Sequence, residues 1–488
     1  MRMAVYCGAL VVATALRAQV QGSVDPRVRR ALDGLRPSVA VRGQPILRWT
    51  LEARMAELHV PGVSIAIIDS GRVIWAEGFG VRETGNVHPV TTSTLFQAQS
   101  ISKAIAVTAT LALVDAGVVT LDTDVNTYLK SWKVPKNRFT DSASVTLRRI
   151  ASHSAGITPA SFPGYMPGSP LPTLVQILEG KSPANTPAVR VDTFPGAVEQ
   201  YSGGGLLVLQ QALIDATGEP FTALSKRLVF DKLGMRSSTF EEPLSSAWAG
   251  RAATGHDLNG APIPGKWHVF PEMAAGGLWS TPADLARWAI DIAAAWNGAT
   301  NRVISPKLAR EMLTEQKASA GLGVFLEGKG SSFAFGHSGS TRGYRADLVM
   351  FPTTGKGAVV MTNADQGAQL TFELMRSLAA EFNWPGRLQT ERVAVSLPPT
   401  DYNGLTGTYD APPLPDGTPA AITVWSDSGR LYFAFPPFNS KLELYPESRD
   451  SFFTLSDFDV VFSRDSLDRA RSVLLAGQVT GKRRPQTR

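Results

Sequence analysis

The chain has 488 residues, of which 43% are hydrophobic and 18% charged, a balance that excludes a disordered chain and allows two or more hydrophobic cores. Its formal net charge is +6, and no stripe of alternating basic and aromatic residues is present, which argues against a nucleic-acid-binding protein. The basic run Lys482-Arg483-Arg484 is interpreted as a frayed, solvated end.

The first residues are typical of a secretory signal peptide. Arg2 gives a short positive region, residues 4–16 are apolar, and Ala18 is a small residue before a cleavage site at Gln19. The apolar run is shorter than the roughly 20 residues that span a bilayer, and no longer run follows, so no transmembrane anchor is expected. The single cysteine, Cys7, lies inside this segment, so the exported protein is expected to lack disulfides. These features predict a periplasmic or secreted bacterial protein.

Changes in composition along the chain predict its domains. Residues 1–18 form the signal peptide, 19–45 a leader with helical character that packs against the body, 46–385 the main body, 386–400 a linker and 401–488 a C-terminal domain. The last region consists of short β runs at regular spacing, which is typical of a small antiparallel barrel or sandwich.

The main body alternates helical and strand-like patterns. Val63–Asp69 and Arg72–Gly78 flank the turn Ser70-Gly71 and predict a hairpin. The other predicted elements are a helix over Ile46–Leu58, a long helix after Ser100 that ends at Gly117, a helix over Leu206–Ala216, a helix start capped by Ser280, strands Phe333–Gly339, Arg345–Phe351 and Gly357–Asn363, and a helix over Gln366–Phe382.

A long segment rich in proline, glycine and serine, Thr158–Pro195, interrupts the body. Loops of this length in compact domains often form lids or pocket walls. Phe162, Tyr165 and Met166 are its candidate substrate-facing residues, and packing onto the body is the alternative.

The first chemical signal is Ser100-Ile101-Ser102-Lys103 at the start of the long helix. Residues three apart share a helix face, so we expect the Lys103 amine one turn from the Ser100 hydroxyl. A serine hydroxyl is a weak nucleophile until a base removes its proton, and Ser-Lys pairs are an alternative to Ser-His-Asp. Such a short pattern also arises by chance, so the pair alone is weak support for an active site. A working site also needs a third group and an oxyanion hole, which must come from elsewhere in the chain.

Other candidate centres have less support. His153 and Ser154 are chain neighbours that do not face one another, and Ser152 stands where a nucleophile elbow needs glycine, so both are interpreted as structural and an α/β-hydrolase is disfavoured. The sequence has no His-Glu-x-x-His motif and no cysteine pair, so no metal site is expected. Surface or packing positions are predicted for His59, His88, His256 and His268.

Two further motifs follow the Ser-Lys pair in a set order. Tyr201-Ser202-Gly203 precedes a helix, and His337-Ser338-Gly339 ends a strand. Together these motifs make the chain resemble the class C β-lactamase and penicillin-binding-protein-like serine hydrolases, a family that includes D-aminopeptidases, D,D-carboxypeptidases and β-lactamase-like esterases. The resemblance covers about residues 46–385 and extends to the segments VPGVSIAIIDSGRVIWAEGFG, TLFQAQSISK, VTLRRIASHSAGI and AAGGLWSTPADLARW.

The resemblance implies an α/β (α+β) fold of the β-lactamase/transpeptidase type, with an antiparallel sheet flanked by helices and a helical subdomain. The segment after Thr400 resembles the small lipocalin-like β-domain, a small antiparallel barrel, that often follows such enzymes. No cofactor is implied, the implied partner is a small-molecule or peptide substrate, and the oligomeric state stays open.

The resemblance also implies residue roles. Ser100 attacks a carbonyl and forms an acyl-enzyme, while Lys103 takes its proton, which requires an amine that is neutral or shares its proton. Tyr201 relays a proton to the leaving group and activates water for deacylation. The backbone N–H groups of Ser100 and Ser340 form the oxyanion hole.

Two departures from the β-lactamase pattern concern the substrate. Gly203 replaces an asparagine whose amide contacts the substrate, so efficient β-lactam hydrolysis is not expected. His337 replaces a lysine; it is counted with the catalytic residues, and Ser338 and Gly339 with the substrate-binding residues. A histidine near its reference pKa of about 6.5 is mostly neutral at pH 7 and holds a carboxylate less firmly than lysine.

The lost charge has two interpretations. Arg342, or with less support Arg345, replaces it from the following turn, or the site has dropped carboxylate recognition and accepts neutral esters or peptides. The sequence thus predicts an exported serine hydrolase that cleaves a D-amino-acid peptide or a small ester. The alternatives are a true β-lactamase and a non-catalytic envelope protein that keeps the fold for binding.

Overall fold

A computed structural model describes residues 24–413, 419–435 and 438–484, and the predicted signal peptide lies outside these residues. The helices are α1 (Pro26–Leu32), α2 (Leu51–Glu57), α3 (Ile101–Asp115), α4 (Leu147–Ala151), α5 (Leu174–Glu179), α6 (Gly203–Thr217), α7 (Phe221–Ser225), α8 (Asp231–Leu233), α9 (Ser246–Ala249), α10 (Met273–Gly276), α11 (Pro282–Trp296), α12 (Pro306–Met312) and α13 (Gly367–Glu381). Short 3₁₀ or π segments occupy Val125–Thr127, Lys226–Phe230, Gly330–Ser332 and Pro399–Tyr402.

The strands of the main body are β1 (Val39–Val41), β2 (Gly62–Asp69), β3 (Arg72–Gly80), β4 (Phe96–Gln97), β5 (Ile157–Thr158), β6 (Arg190–Val191), β7 (Trp279–Ser280), β8 (Phe325–Glu327), β9 (Ala334–Thr341), β10 (Tyr344–Phe351), β11 (Lys356–Thr362) and β12 (Thr390–Arg392). The C-terminal strands are β13 (Gly407–Ala411), β14 (Ala420–Asp427), β15 (Arg430–Phe435), β16 (Phe438–Pro446), β17 (Ser451–Phe453), β18 (Asp459–Arg464), β19 (Ala470–Leu475) and β20 (Val479–Arg483).

A six-stranded antiparallel sheet in the order β3-β2-β11-β10-β9-β8 forms the centre of the body. Strands β2 and β3 form the predicted hairpin, with Asp69 opposite Arg72. Ser70 and Gly71 between them have φ values of 52° and 67°, the left-handed conformation that a two-residue hairpin turn of this kind requires. The predicted strands β9, β10 and β11 are also confirmed, close to their expected bounds.

Helices cover both faces of this sheet. Because alternate residues of a strand face opposite sides, Ile65 and Ile67 of β2 join one hydrophobic core, whereas Ala66 and Ile68 join the other. Helices α1, α2 and α13 contribute to the first core, and α3, α6 and α11 to the second. This layering is the predicted β-lactamase/transpeptidase-like fold.

The long helix α3 begins directly after Ser100 and is buried from Ile101 to Leu113. A helix that is apolar on every side belongs in the middle of a large core. The preceding strand β4 pairs with β7, and Ala98 N–H donates to the Leu278 carbonyl at 2.8 Å. The Leu278 N–H in turn donates to Ser102 Oγ at 3.0 Å. The chain before β7 is thereby fixed against the start of α3.

Strands β13–β20 form a closed antiparallel barrel, which confirms the barrel expected from the C-terminal β runs. Its interior is filled by large side chains that include Tyr409, Phe433, Phe452 and Phe462. The barrel therefore has a packed hydrophobic core of its own.

The last strand, β20, was not predicted, and the interpretation of the basic run as a frayed end is wrong for its described residues. Arg483 lies opposite Tyr409 in the pairing of β20 with β13 that closes the barrel. The Arg483 guanidinium donates to the carbonyls of Gly404 at 2.7 Å and Ala470 at 3.1 Å. These backbone acceptors come from distant parts of the chain, so local charge alone could not indicate the strand.

The leader and the linker-like stretch pack together. Helix α1 lies against α13, as expected for the leader. Strand β1 pairs in parallel with β12, with Val39 opposite Thr390, so part of the predicted linker is a strand too short to stand out in a hydrophobic pattern. Val39 and Val41 contact Tyr445 and Phe453 of the barrel in a small apolar cluster.

Two predicted helix starts are displaced. The helix expected from Leu206 begins at Gly203, because Ser202 caps it. The helix expected to be capped by Ser280 is capped by Thr281, because Ser280 is drawn into β7. In both places neighbouring hydroxyl residues compete for the cap, and strand pairing or close packing decides between them.

Candidate active site

Ser100 and Lys103 lie at the amino end of α3 with the geometry that their spacing predicts. Lys103 Nζ donates to Ser100 Oγ at 3.1 Å and to the Ala275 carbonyl at 2.7 Å. Lys103 is 2% exposed, so both contacts are shielded from bulk water. The first contact is short enough for a proton to pass from the hydroxyl to the amine.

The backbone that leads into Ser100 has a strained conformation. Gln99 has a φ of 47°, which residues other than glycine rarely adopt. The side chain of Ser100 makes no capping hydrogen bond to α3, which leaves its Oγ for Lys103. Among the described residues, the Ser100 N–H also donates no backbone hydrogen bond.

Ser340 lies on β9 beyond the part that pairs with β8. That pairing covers Ala334 to Gly336 of β9 and ends there, so the later residues of β9 form an edge that faces the loop before Ser100. The approach is close, because a Cβ at Gly339 would lie 2.2 Å from the Ala98 carbonyl oxygen. Glycine at this position is therefore required for the two segments to meet.

The orientation of the Ser340 N–H follows from the hairpin register. Thr341 and Tyr344 close a two-residue turn between β9 and β10, and such a closing pair exchanges both ladder hydrogen bonds. Ser340 belongs to the next pair, whose N–H groups point away from the partner strand. The N–H groups of Ser100 and Ser340 are thus available on the two sides of one cleft.

Tyr201 stands beside Lys103. The Lys103 Nζ is 4.9 Å from the centroid of the Tyr201 ring, and the centroid of the His153 ring is 4.4 Å from it. The Gln200 N–H donates to the His153 carbonyl at 2.6 Å, and the Ser202 N–H donates to His153 Nδ1 at 3.2 Å. Both chain neighbours of Tyr201 are therefore tied to His153.

His153, which is interpreted from the sequence as structural, supports the loop that carries Tyr201. Its burial, together with the charge of Lys103, lowers its pKa well below the usual value. The neutral ring keeps Nδ1 as an acceptor for the Ser202 N–H, so a stable acceptor fixes the loop that carries Tyr201.

His337 lies behind Tyr201, with its ring 6.3 Å from the phenol ring and 5.2 Å from Phe325. Its Nδ1 contacts the Ser338 carbonyl at 2.6 Å, and because a carbonyl only accepts, Nδ1 carries the proton. The Nε2 is then an acceptor, and it has no partner among the described residues. Burial, with the charge of Lys103, lowers the pKa of His337 to about 3, so the ring is neutral where lysine would be a cation.

Gly203 lies next to Phe162 at the start of α6. A Cβ at this position would be 3.0 Å from the Ala160 carbonyl oxygen and 3.2 Å from the Phe162 ring. Phe162 therefore occupies space next to the position at which the β-lactamases carry asparagine. Of the other loop candidates, Tyr165 is buried and Met166 is 39% exposed.

The two candidate arginines differ in their contacts. Arg345 Nη1 lies 3.1 Å from Asp365 Oδ1 and also donates to the Thr341 carbonyl, so this side chain is occupied. Arg342 is exposed at the hairpin turn and has no hydrogen bond or ion pair to another residue in the described ranges. Ser338 is also exposed.

A cavity of about 40 Å³ lies at the Ser-Lys pair. Its lining includes the predicted residues Ser100, Lys103, Gly203 and Ser340, together with an acidic residue that was not predicted, Glu272. A separate cavity of about 420 Å³ lies between α13 and the barrel and shares no lining residue with it. The smaller cavity therefore belongs to the predicted chemistry, although the other is larger.

Glu272 directly precedes α10 and is fully buried. Burial raises its pKa to about 7. The available signal in the sequence was a lone acidic residue just before an Ala-Ala-Gly-Gly run, and such a position gains meaning only when the fold places it in a cleft.

The described residues contain no group of three or more His, Cys, Asp or Glu arranged to hold a metal ion. His256 is buried, with Nδ1 2.8 Å from the Asn363 carbonyl and Nε2 accepting from the Thr84 N–H at 3.0 Å, which is a packing role. Within the same described ranges, no helix combines the length and hydropathy that a bilayer span requires.

Residues 47–380 match the family model described as Beta-lactamase, which covers more than half of the chain. The chain belongs to the β-lactamase family. Together with relatives that are a hydrolase and a carboxypeptidase, this membership makes it a serine hydrolase. The predicted family and enzyme class are therefore confirmed.

Relatives within and around the family support this placement. The chain is 27% identical over 378 residues to penicillin-binding protein 4 of Amycolatopsis lactamdurans, covering 74% of this chain and 95% of that protein. It is 26% identical over 231 residues to the D-alanyl-D-alanine-carboxypeptidase/endopeptidase AmpH of Escherichia coli, covering 46% of this chain and 56% of that protein.

Two solved structures share the fold of this β-lactamase-family chain. The octameric penicillin-binding protein homologue from Pyrococcus abyssi has a TM-score of 0.59 at 23% identity, covering 88% of this chain and 98% of that one. The D-amino acid amidase from Ochrobactrum anthropi SV3 has a TM-score of 0.56 at 20% identity, covering 73% and 98%.

Proposed function

We propose that this β-lactamase-family protein is an exported hydrolase that cleaves an amide or ester bond of a D-amino-acid derivative or a small ester through an acyl-enzyme on Ser100. The observation that carries the proposal is the 3.1 Å contact between Lys103 Nζ and Ser100 Oγ in a buried setting. Export is proposed from the N-terminal sequence pattern.

In the acylation step, Lys103 Nζ in its neutral amine form accepts the Ser100 proton as Ser100 Oγ attacks the substrate carbonyl carbon. The carbonyl oxygen becomes an oxyanion held by the N–H groups of Ser100 and Ser340. When the scissile bond breaks, the leaving group takes a proton relayed through Tyr201. The product of this half-reaction is an ester between Ser100 and the acyl part of the substrate.

In the deacylation step, a water molecule gives its proton to the Tyr201–Lys103 pair and attacks the ester carbon. The bond to Ser100 Oγ breaks, and Ser100 recovers its proton as the acid product leaves. The tied loop on either side of Tyr201 supports this role, because a relay group must be held in place.

Two features of the site support the substrate assignment. Gly203 has no side chain at the position where the β-lactamases carry asparagine, and the neighbouring Phe162 supplies no amide there. His337 offers a neutral acceptor instead of a cation, which disfavours binding of a carboxylate by the third motif. Arg342 stays as the candidate for any carboxylate at the edge of the cleft.

The proposal predicts that a fluorophosphonate labels Ser100 and that Ser100→Ala abolishes both labelling and turnover, with a loss of at least about 1,000-fold. Lys103→Ala should slow labelling while leaving Ser100 in place. The matched control is Ser102→Ala, which removes a neighbouring hydroxyl that binds the Leu278 N–H. Substantial turnover in Ser100→Ala would contradict the proposal.

A substrate panel separates the alternatives. D-alanine p-nitroanilide, a D-Ala-D-Ala peptide, short-chain p-nitrophenyl esters and nitrocefin are compared with the wild-type protein. Preference for D-alanine derivatives or esters is expected, preference for nitrocefin would indicate a true β-lactamase, and an unlabelled Ser100 would indicate a non-catalytic protein.

A further inference from the structure

Glu272 is an unpaired acid inside the cleft. Its side chain is 0% exposed, and neither carboxylate oxygen has a hydrogen-bond partner among the residues that the structure describes. The N–H of Glu272 itself and the nearby Tyr165 hydroxyl lower the pKa of this carboxyl, but neither group makes a hydrogen bond to it. A buried carboxyl without a partner costs free energy, and a bound group with N–H donors would offset that cost.

The segment that carries Glu272 is held in place from both sides. Gln210 Nε2 donates to the Pro271 carbonyl at 3.2 Å, and Gln210 Oε1 accepts from the Ala274 N–H at 2.9 Å. The Ala275 carbonyl accepts from Lys103 Nζ at 2.7 Å. Glu272 is therefore fixed relative to the Ser-Lys pair, as a binding group must be.

The cavity itself is small. Its volume of about 40 Å³ exceeds the roughly 10–15 Å³ that one water needs and is far below the roughly 300 Å³ of a common ligand pocket. A group of a few atoms fits next to the carboxylate, whereas a long acylamino chain does not. The matching group of opposite charge with several N–H donors is a primary ammonium.

We propose that Glu272 binds the primary ammonium group of the acyl part of the substrate, so that the enzyme prefers amides, peptides or esters of amino acids whose amine is free. The inference rests on the proposed acyl-enzyme at Ser100. In an amino-acid derivative the α-ammonium is attached to the carbon next to the scissile carbonyl, so one small cavity accommodates both groups. The ammonium donates hydrogen bonds to the carboxylate oxygens that are otherwise unpaired.

The raised pKa of Glu272 agrees with this role. Burial raises the pKa of this carboxyl to about 7, as expected for an acid that is not committed to a structural ion pair. An arriving ammonium favours the charged form and pulls the equilibrium toward the carboxylate. Free amines would thereby gain affinity that a neutral group of the same shape lacks.

The test compares D-alanine p-nitroanilide with isobutyric acid p-nitroanilide, in which a methyl group replaces the ammonium. In the wild-type protein, kcat/KM for the charged substrate should be larger by roughly 100-fold, because a desolvated charge pair is lost in the neutral substrate. In Glu272→Gln this ratio should fall close to unity. A wild-type ratio near unity, which needs no variant, overturns the inference.

The matched control is Glu242→Gln. Glu242 is another acid whose Oε1 accepts from Trp279 Nε1 at 2.9 Å, and it does not line the cavity. This variant should keep the substrate ratio, so a loss in both variants would overturn the assignment to Glu272. If Glu272→Gln lowers kcat/KM equally for both p-nitroanilides, Glu272 acts in the chemistry of all substrates. This result would also overturn the inference.

Fluorophosphonate labelling separates this inference from the proposed function. Labelling of Ser100 needs no ammonium. If Ser100 is labelled and the ratio of kcat/KM for the two p-nitroanilides is near unity, the inference fails and the proposed function stands. If the wild-type protein is not labelled, the proposed function fails. Labelling also reports whether Glu272→Gln is folded. Nα-acetyl-D-lysine p-nitroanilide has a free ammonium only at the end of its side chain. If it is cleaved in preference to D-alanine p-nitroanilide, the recognised amine is the side-chain ammonium, and the assignment of an α-ammonium is overturned.

Discussion

Near the Ser100–Lys103 pair, two further buried ionisable residues, His337 and Glu272, differ in their charge at neutral pH. Burial lowers the pKa of His337 to about 3 and raises the pKa of Glu272 to about 7, so each pKa moves in the direction that favours the neutral form. His337 therefore keeps one charge state across the neutral range. Glu272 changes its charge within that range, so a pH effect on substrate recognition belongs to Glu272.

The corresponding prediction concerns the pH profile of kcat/KM for D-alanine p-nitroanilide. Binding of an ammonium needs the carboxylate, so the rate should rise as pH increases through about 7. It should fall again near about pH 8, where an α-amino group loses its proton. The profile for isobutyric acid p-nitroanilide should show neither the rise nor the fall. If both substrates show a rise or a fall near the same pH, that change belongs to the Ser100–Lys103 chemistry instead.

The other ionisable groups around Glu272 define the control for this profile. Lys103 lines the same cavity, and the charge of Glu272 contributes to raising the pKa of Tyr165 and that of Glu242. Burial raises the pKa of Tyr165 to about 12, so its hydroxyl keeps its proton over the measured range. The profile of Glu242→Gln should retain the lower limb, while that of Glu272→Gln should lose it.

At the scale of elements, the amino end of α6 shows tertiary contact overriding helix propensity. The run Gly203-Gly204-Gly205 forms the first turn, although glycine costs about 1 kcal/mol relative to alanine in a helix. A Cβ at Gly204 would lie 2.2 Å from the Thr158 carbonyl oxygen of β5. The glycine is therefore required by the close approach of β5, and this approach positions the loop that carries Tyr201.

Gly204→Ala should accordingly destabilise the protein, by about 1–3 kcal/mol, and slow labelling of Ser100 by disturbing Tyr201. Gly205→Ala is the control, because its nearest contact is Ser202 Oγ at 3.1 Å and its loss should be smaller. Urea unfolding and the labelling rate measure the two effects. A gain of stability in Gly204→Ala, as helix propensity alone predicts, would contradict the packing explanation.

At the scale of the whole molecule, Arg392 of β12 joins the body to the barrel. Its Nη2 lies 2.8 Å from Glu447 and 2.8 Å from Asp459, and its guanidinium lies 4.5 Å from the centroid of the Phe453 ring. These residues come from the barrel, whereas β12 pairs with β1 of the leader. Leader, linker-like strand and barrel are thus one connected unit.

Arg392→Ala should lower the free energy of unfolding by about 1–2 kcal/mol, because it removes a partly shielded guanidinium with several partners. Arg430→Ala is the matched control: Arg430 is 63% exposed and pairs with Glu443 at 3.1 Å on the barrel surface, where an ion pair contributes less than about 1 kcal/mol. Thermal or urea unfolding compares them. Equal losses would contradict the special role of the Arg392 contacts, and Ser100 labelling should be unchanged in both.

The order of the Ser-x-x-Lys, Tyr-Ser-Gly and His-Ser-Gly motifs, the β2–β3 hairpin and the late strands could be predicted from the sequence because they depend on local spacing and turn chemistry. The catalytic roles themselves stay predictions. Helix caps at Ser202 and Thr281, the short strand β12 and the closing strand β20 could not be predicted, because each is decided by a partner distant in the chain.

The sequence by itself determined the family, the fold class and the position of the Ser100–Lys103 pair, since a helix places residues three apart on one face whatever surrounds it. The tertiary structure alone decided the charge of the cleft. Whether His337 is a cation or a neutral acceptor, and whether Glu272 is a surface acid or an unpaired buried one, depends on desolvation and on neighbours from distant segments.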